Sequence, residues 1–483
     1  MSNDKMDSET KARVAKGGGL VVLIGMSLGL IYGYDNGNIG GAALAFQRDL
    51  NLDTSGVEFI TTAIVWGTLF GAIVGGWLAN KIGRKPTMIM VAVGFTLFAI
   101  ASAFSGGEAT LSVARFLLGT SIGLSIMVVP LFLAESVPAA IRGRALVGYQ
   151  LVGVVGIILG NLVAAGLTSL PDSYNWRIML GVAALPALIL IPLLMKVSET
   201  PNWLMMKGRR EEALVAMKRV DPTADAEAEI QEIADTLAEE GGAVISEMFR
   251  RPFLRATVFV LTLGFLVQIT GINATVTYGP QIFNAMGAKG TEALWLSVLV
   301  QCFAFAALVI SIRYFIDTKG RRPTLMVGIA ILLFGLVLSA VVSYWAGTGT
   351  YSDLQMVLGF AGLALINIGF VMGFGSMVWV YAAESFPGRL RAFGASLLLG
   401  ADLIANIIVA EASLTVIEVF GTVVLFGGFA VLALFALWFV YKFAPETKGR
   451  QLDDIRFFWE NGGKWPTDGS DGSGGVAAET KVH

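Results

Sequence analysis

Long apolar runs alternate with short polar punctuation along most of this chain. Runs such as Leu20 to Tyr32, Met88 to Phe104, Ile178 to Met195 and Val423 to Tyr441, with their flanks, are long enough to cross a hydrocarbon core at about 1.5 Å per helical residue. About twelve such segments are predicted. In the first half they fall near 18–38, 57–79, 86–105, 109–133, 145–168 and 177–197. In the second they fall near 254–282, 293–315, 323–346, 356–382, 391–413 and 419–443. Between the halves, residues 202–251 turn polar, and GRREEALVAMKRV and AEAEIQEIADTLAEE alternate apolar and charged positions as short amphipathic helices do. Residues 461–483, rich in Gly, Ser and Asp, cannot bury a core and are expected to be disordered. The predicted organisation is a tail over 1–17, a helical bundle over 18–197, a helical linker over 198–253, a second bundle over 254–444 and a tail over 445–483.

The halves also repeat each other. GRKPTM at Gly83 to Met88 returns as GRRPTL at Gly320 to Leu325, AESVP at Ala134 to Pro138 as AESFP at Ala383 to Pro387, and SETP at Ser198 to Pro201 as PETK at Pro445 to Lys448. Repeated six-span units with charged loop motifs at matching positions mark a secondary transporter whose substrate site lies between the halves. Composition agrees: 55% of the 483 residues are apolar and 14% charged, too few polar groups for a globular surface, so the bilayer is the solvent. The net charge of -2 says little, but its placement is lopsided. Lys5, Lys11, Arg13, Lys16, Lys81, Arg84, Lys85, Arg142, Arg144 and the stretch from Lys207 to Arg255 fall on one side, and Arg48, Arg177 and Lys289 on the other. That bias predicts both termini in the cytoplasm. The first hydrophobic run has no cleavage-site pattern and is expected to be a retained span. The single cysteine, Cys302, excludes an intramolecular disulfide, and the single histidine, His483, excludes a histidine-based metal site or proton relay.

Charges at membrane depth are costly unless paired or hydrated, so each is a functional candidate. Asp35, in YGYDNGNIGGA, is read as ending or interrupting the first span, and Arg115, in ARFLLGTSIG, lies inside the fourth. A carboxylate that is ionised beside its arginine and takes a proton when separated from it has the chemistry a proton-coupled carrier needs. The alternative is a helix cap at the outer interface with a structural partner. Asp402 is a third intramembrane acid, either a cavity group or a partner for a neighbouring polar side chain; Glu411 is read as interfacial. Gln150, Gln268, Asn273 and Asn406 place amides at depth, and Trp379 offers a flat apolar face of the kind sugar rings pack on. Together these groups suit a neutral polyhydroxylated ligand, although each alone could be interhelical glue. The sequon at Asn273 lies in a span and is a false positive.

Taken with their order along the chain, these motifs resemble the sugar porter family of the major facilitator superfamily. GYDNGNIGGA and ARFLLGTSIG resemble its first- and fourth-span signatures, GGWLANKIGRK and IDTKGRR its two loop motifs, and SETPNWL the segment after the sixth span. QITGINATVTY resembles the seventh-span sugar motif, and PETKGRQLDDI the C-terminal signature. The resemblance implies an all-α membrane protein of about twelve transmembrane helices in two six-helix repeats with a cytoplasmic helical linker. It implies that Asp35 takes the proton and Arg115 modulates it. Gln150, Gln268, Asn273 and Trp379 would line the sugar site with Tyr32 and Tyr278 as neighbours, joined from the residue reading by Asp402 and Asn406. Arg84, Glu135, Arg142, Arg144, Glu199, Asp317, Arg322, Glu384, Arg389, Arg391 and Glu446 would form the cytoplasmic salt-bridge network that latches the halves when the cavity opens outward.

The departures bear on the substrate. The usual glutamine pair of the seventh span is Val267 and Gln268 here, the tenth-span prolines are replaced in GFGSMVW, and Asp402 and Leu403 stand where an amide and a tryptophan are usual. A carboxylate accepts hydrogen bonds from several hydroxyls and repels anions, which favours a polyol or an unusual sugar. Asn80 replaces the common acid of the first loop motif and predicts a weaker first-half latch than the second-half one carrying Asp317. The expectation is a carrier, monomeric and in the plasma membrane, a bacterial inner membrane, importing a neutral monosaccharide or polyol with a proton by alternating access. It needs no cofactor, no metal and no nucleic acid. The rivals are a proton-independent facilitator, an organic-cation carrier of the same fold and a non-transporting receptor. No nucleophile with a base is in evidence for an enzyme.

Overall fold

A computed structural model describes residues 8–220, 225–240, 245–288, 291–314, 319–347, 351–386, 388–448, 450 and 452–465. Among them there is no strand. Helices α1 (Ser8–Asp49), α2 (Thr54–Ile82), α3 (Arg84–Ala103), α4 (Glu108–Ser136) and α5 (Ala139–Gly166) each supply one span, and α6 (Asp172–Gly181) with α7 (Ala184–Lys196) supplies another. The short helices α8 (Pro201–Met206), α9 (Arg210–Val220) and α10 (Ala226–Glu240) form the linker, as its alternating pattern predicts. The second half contains α11 (Leu254–Ile269), α12 (Ile272–Thr277), α13 (Gly279–Met286), α14 (Thr291–Tyr314), α15 (Arg321–Ala346), α16 (Asp353–Met372), α17 (Phe374–Glu384), α18 (Gly388–Phe443) and α19 (Leu452–Glu460).

Eleven of these segments are long and apolar enough to span, and the last is two spans in one. Helix α18 runs for 56 residues, yet at Gly421 the backbone leaves helical geometry, with φ 82° and ψ 168°. A straight helix of that length would measure about 80 Å, far beyond a hydrocarbon core of about 30 Å. Its contacts show the reversal. Thr415 meets Glu58 near the start of α2, whereas Pro445, just past the end of α18, accepts from Tyr381 near the end of α17. Counted so, twelve spans are present among the described residues, in the number the apolar runs predict. The end carrying α8–α10 is called here the linker end, and the opposite one the far end.

Three elements differ from the sequence reading. The first span does not stop at Asp35: α1 continues to Asp49, which accepts from Trp176 Nε1 at 2.9 Å and Arg177 Nη1 at 2.7 Å. Helix α1 can carry Asp35 because Arg115 neutralises it from within the bundle, so no helix break is needed to bring it to water. The seventh span is broken, with Gly271 at φ 88° between α11 and α12 and Tyr278 between α12 and α13. Finally, the polar tail begins later than composition implied. The Trp465 ring packs tilted against Phe458 of α19 at 4.6 Å and takes the Arg450 guanidinium at 4.7 Å, while 466–483 lie outside the described residues.

Each half has its own apolar core. The first gathers Ile24, Leu28, Phe95 and Phe132, the second Phe259, Tyr381, Phe426 and Phe439. A third cluster at the far end mixes them: Ile39, Phe46, Ile60 and Trp176 of the first half enclose Leu294 and Leu414 of the second. Around the outside, Phe59, Phe70, Ile73, Trp77, Phe334 and Val431 are exposed, as lipid-facing side chains are. Cys302 belongs with them and is exposed.

Candidate functional site

Asp35 and Arg115 meet across α1 and α4 as the sequence predicts. Arg115 Nη1 donates to Asp35 Oδ1 at 2.6 Å and Nη2 to Oδ2 at 3.1 Å, a two-pronged pair whose members are 3% and 1% exposed. Planar forks of this kind are the strong charge-assisted hydrogen bonds, and burial removes the water that would compete. Arg115 Nε is left without a partner among the described residues.

Tyr32 lies one helical turn before Asp35 on α1, and Asn36 Nδ2 reaches its carbonyl at 3.4 Å. From the other half, Asp402 of α18 faces the Gln268 amide of α11 and lies near the Tyr32 phenol. A carboxylate of one half thus looks across at a phenol of the other. Gln268 Oε1 is buried without a hydrogen-bond partner among the described residues, so an acceptor waits there for a donor. Asn406 follows Asp402 by one turn and shares its face. Asn273 opens α12 just after the Gly271 break and is half-buried, while Gln150 on α5 is exposed and Trp379 on α17 is 38% exposed. Tyr278 is placed elsewhere. It is fully buried, shares a hydrogen bond with Thr61 of α2 at 2.7 Å and donates to Ala410 O at 2.8 Å, so its hydroxyl is occupied by contacts at the far end.

The two loop motifs fold alike. Gly83 and Gly320 sit at φ 112° and 96°, a left-handed conformation that glycine adopts freely, and each lies against a glutamate. Glu199 accepts from the backbone N–H groups of Arg84 and Lys85, and Glu446 from those of Arg321 and Arg322. Burial pushes the Glu199 carboxyl up from its ordinary value, while those N–H groups, that of Thr200 and the Arg84 charge pull the other way. Arg84 forks onto Glu135 at 3.0 and 2.9 Å and donates to Asn80 Oδ1 at 3.0 Å, so the residue in place of the common acid still holds the arginine. In the second half Arg321, not Arg322, is the counterpart of Arg84 and faces Glu384 at 3.7 Å. Arg322 turns to the Tyr441 carbonyl and ring. These ion pairs stay within one half. Arg391 is half-buried, its Nε without a partner among the described residues; the side chains of Arg142, Arg144 and Arg389 fall outside the described residues, and so does Asp317.

Sequence reasoning missed the far end. Glu58 of α2, 4% exposed, accepts from the Thr415 backbone N–H at 2.8 Å and from its hydroxyl, and Trp66 Nε1 donates to Glu411 at 3.1 Å. Gln281 Nε2 reaches Gly40 O at 3.2 Å, and Thr168 meets Thr291 at 3.0 Å. All the hydrogen bonds described between the two halves lie at this end.

Two repeated six-span halves around a polar centre define a multi-span membrane carrier. The model of a family described as "Sugar (and other) transporter" matches residues 21–459. The arabinose-proton symporter of Escherichia coli K12 is 30% identical, with 88% of this chain and 90% of the relative covered. The major myo-inositol transporter IolT of Bacillus subtilis is also 30% identical, over 90% of this chain and 93% of the relative. Among solved structures, a partially occluded inward-open conformation of the E. coli xylose transporter XylE superposes with a TM-score of 0.79 at 23% identity, covering 90% of this chain and all of that one, a likeness of fold. The chain belongs to the sugar (and other) transporter family, and it is a transporter rather than an enzyme.

Proposed function

We propose that this protein carries a neutral monosaccharide or polyol together with a proton by alternating access, with the linker end and both termini in the cytoplasm. The observation that carries the reading is the buried Asp35–Arg115 fork, a carboxylate whose partner sits on another helix and can be withdrawn from it. Names of relatives such as the arabinose-proton symporter support the same reading. The proton is the coupling ion and no cofactor takes part. Gln150, Gln268, Asn273, Trp379, Asp402, Asn406 and Tyr32 form the solute site, and the loop-motif ion pairs hold each half rigid at the linker end. A far end tied across the halves, with Gln150 and Trp379 accessible, supports a cavity open toward the linker end. One chain supplies both halves of the site, so a monomer in the plasma membrane, a bacterial inner membrane, is the working unit. The polar linker over 198–253 joins bundles over 18–197 and 254–444.

The test is uptake into proteoliposomes of a panel of labelled sugars, linear polyols and inositols, with and without an inward proton gradient. Accumulation of one solute that collapses with a protonophore is expected; equilibration indifferent to the gradient would make the protein a facilitator and leave Asp35 structural. Asp402 sets a second expectation. Its carboxylate facing Gln268 can accept from two adjacent hydroxyls, and charge-assisted hydrogen bonds of this kind contribute about 1.5–3 kcal/mol each. Asp402→Asn should therefore weaken binding of the transported solute by about tenfold to a hundredfold, read by titration calorimetry on purified protein. An unchanged affinity would remove Asp402 from the site. The same acid, facing neutral groups, also suits an organic cation, and competition by choline in the uptake assay would expose that reading.

A further inference from the structure

We infer that Glu58 is the latch of the far gate: its carboxylate, carried by the first half, clasps Thr415 of the second and holds the far end shut. The inference rests on the alternating-access reading and adds a residue to it.

Glu58 lies in the first turns of α2 and is 4% exposed, although a carboxylate near a bilayer surface could reach water by choosing another rotamer. It points inward because both of its oxygens are used. One takes the Thr415 backbone N–H at 2.8 Å and the other the Thr415 hydroxyl, so two donors on one residue engage both acceptor atoms. A buried carboxylate needs such compensation, and no residue of its own half is described as giving it a side-chain hydrogen bond. When the halves part at this end both bonds must break together, and only water could replace them. The clasp is therefore specific to the closed state, which is what allows an interaction to shift the balance between states.

The neighbourhood is arranged in the same sense. Thr61, three residues further along α2, meets Tyr278, and Tyr278 in turn donates to Ala410. Leu414, beside Thr415, enters the apolar cluster of Ile39, Phe46 and Ile60. Far-end closure thus has an apolar plug and several polar contacts across the halves; Glu58 and Glu411 both accept across them, and of the two only Glu58 is described with both carboxylate oxygens engaged. The linker-end ion pairs of Arg84 and Arg321, by contrast, join residues of a single half and cannot report closure there.

The test reads the far-end separation directly. In a Cys302→Ser background, spin labels at Glu108→Cys and Glu292→Cys, both exposed at the far end, give the distance distribution in lipid nanodiscs by pulsed electron resonance. Glu58→Ala and Thr415→Val should each move population from the shorter to the longer distance, Glu58→Ala by about tenfold or more in the ratio of the two. Glu58→Gln should stay near wild type, because the amide oxygen still accepts from the Thr415 N–H and the amide NH₂ can donate to its hydroxyl. That rescue separates a clasp from a general packing defect. Two distances in wild type with populations that neither Glu58→Ala nor Thr415→Val alters would overturn the latch alone. One far-end distance in wild type under every condition, with and without saturating solute, would overturn alternating access and the latch with it.

Discussion

Asp35→Asn is expected to leave solute exchange intact and abolish accumulation. The substitution keeps the shape of the side chain, and its amide oxygen can still accept one hydrogen bond from Arg115, which now holds the carboxylate by two at 2.6 and 3.1 Å. What it removes is the ability to bind and release a proton. In a one-to-one symporter each unit of pH difference supports about a tenfold solute gradient, since one unit corresponds to about 1.4 kcal/mol. Wild-type proteoliposomes with an interior one unit more alkaline should therefore approach about tenfold accumulation, while the variant should stop at equal concentrations. Counterflow, in which labelled solute exchanges for unlabelled with no gradient, should continue, because it needs only the solute site and the loaded transition. Neutralising one member of a buried pair leaves Arg115 partly uncompensated, at a cost of about 3–5 kcal/mol when nothing replaces the lost partner. Part of that cost is recovered by the remaining hydrogen bond, so a lower thermal midpoint with active counterflow is the expected signature. Uphill accumulation by Asp35→Asn would sink the coupling role.

The structure also shows which parts of this arrangement a sequence can carry. Spans were legible because a bilayer demands long apolar helices, and a pattern of that length survives errors at its ends. The loop motifs were legible because Gly83 and Gly320 each need a left-handed backbone conformation and each bind a glutamate through neighbouring N–H groups, a local device that leaves the same letters twice. The pairing of Asp35 with Arg115 could be anticipated because both are isolated charges at depth. Naming Arg322 for the latch passed over its neighbour: aligning on Gly83 and Gly320 makes Arg321 the counterpart of Arg84, and its side chain faces Glu384. The far gate was not legible for a different reason. Glu58 stands beside the edge of a span, where a carboxylate ordinarily faces water, and its burial comes from Thr415, a residue 357 positions away with an unremarkable side chain. No spacing rule relates the two. Tyr278 shows the same limit, since its place in the motif suited a sugar site while its fold contacts direct it to Thr61 and Ala410.

The glycines around Asp35 carry a further expectation, and it concerns whether the protein folds at all. In the sequence GYDNGNIGGA they look like loop-formers that would interrupt a helix, yet α1 passes through them without a break. Their use is close approach. A Cβ added at Gly33 would lie 1.9 Å from the Gly153 carbonyl oxygen of α5, and one at Gly37 would lie 2.1 Å from that of Ile157. These are backbone atoms, so no rotamer change relieves the overlap, and the two helices would have to part by more than about 1 Å along their shared face. Small residues let membrane helices gain dispersion at short range where no hydrophobic drive exists between them, and separation forfeits it. It would also displace Asp35, two residues along, from the Arg115 fork. Gly33→Ala should therefore destabilise the protein by about 1–3 kcal/mol or more, appearing as low yield and a broad elution profile in detergent. Gly427→Ala is the matched control, because nothing lies within 4 Å of its added Cβ and alanine favours the helix by up to about 1 kcal/mol. It should elute as wild type and melt no lower. A Gly33→Ala protein that elutes and melts like Gly427→Ala would show that α1 and α5 can slide apart freely, and the close packing that seats Asp35 against Arg115 would then have to come from elsewhere in the bundle.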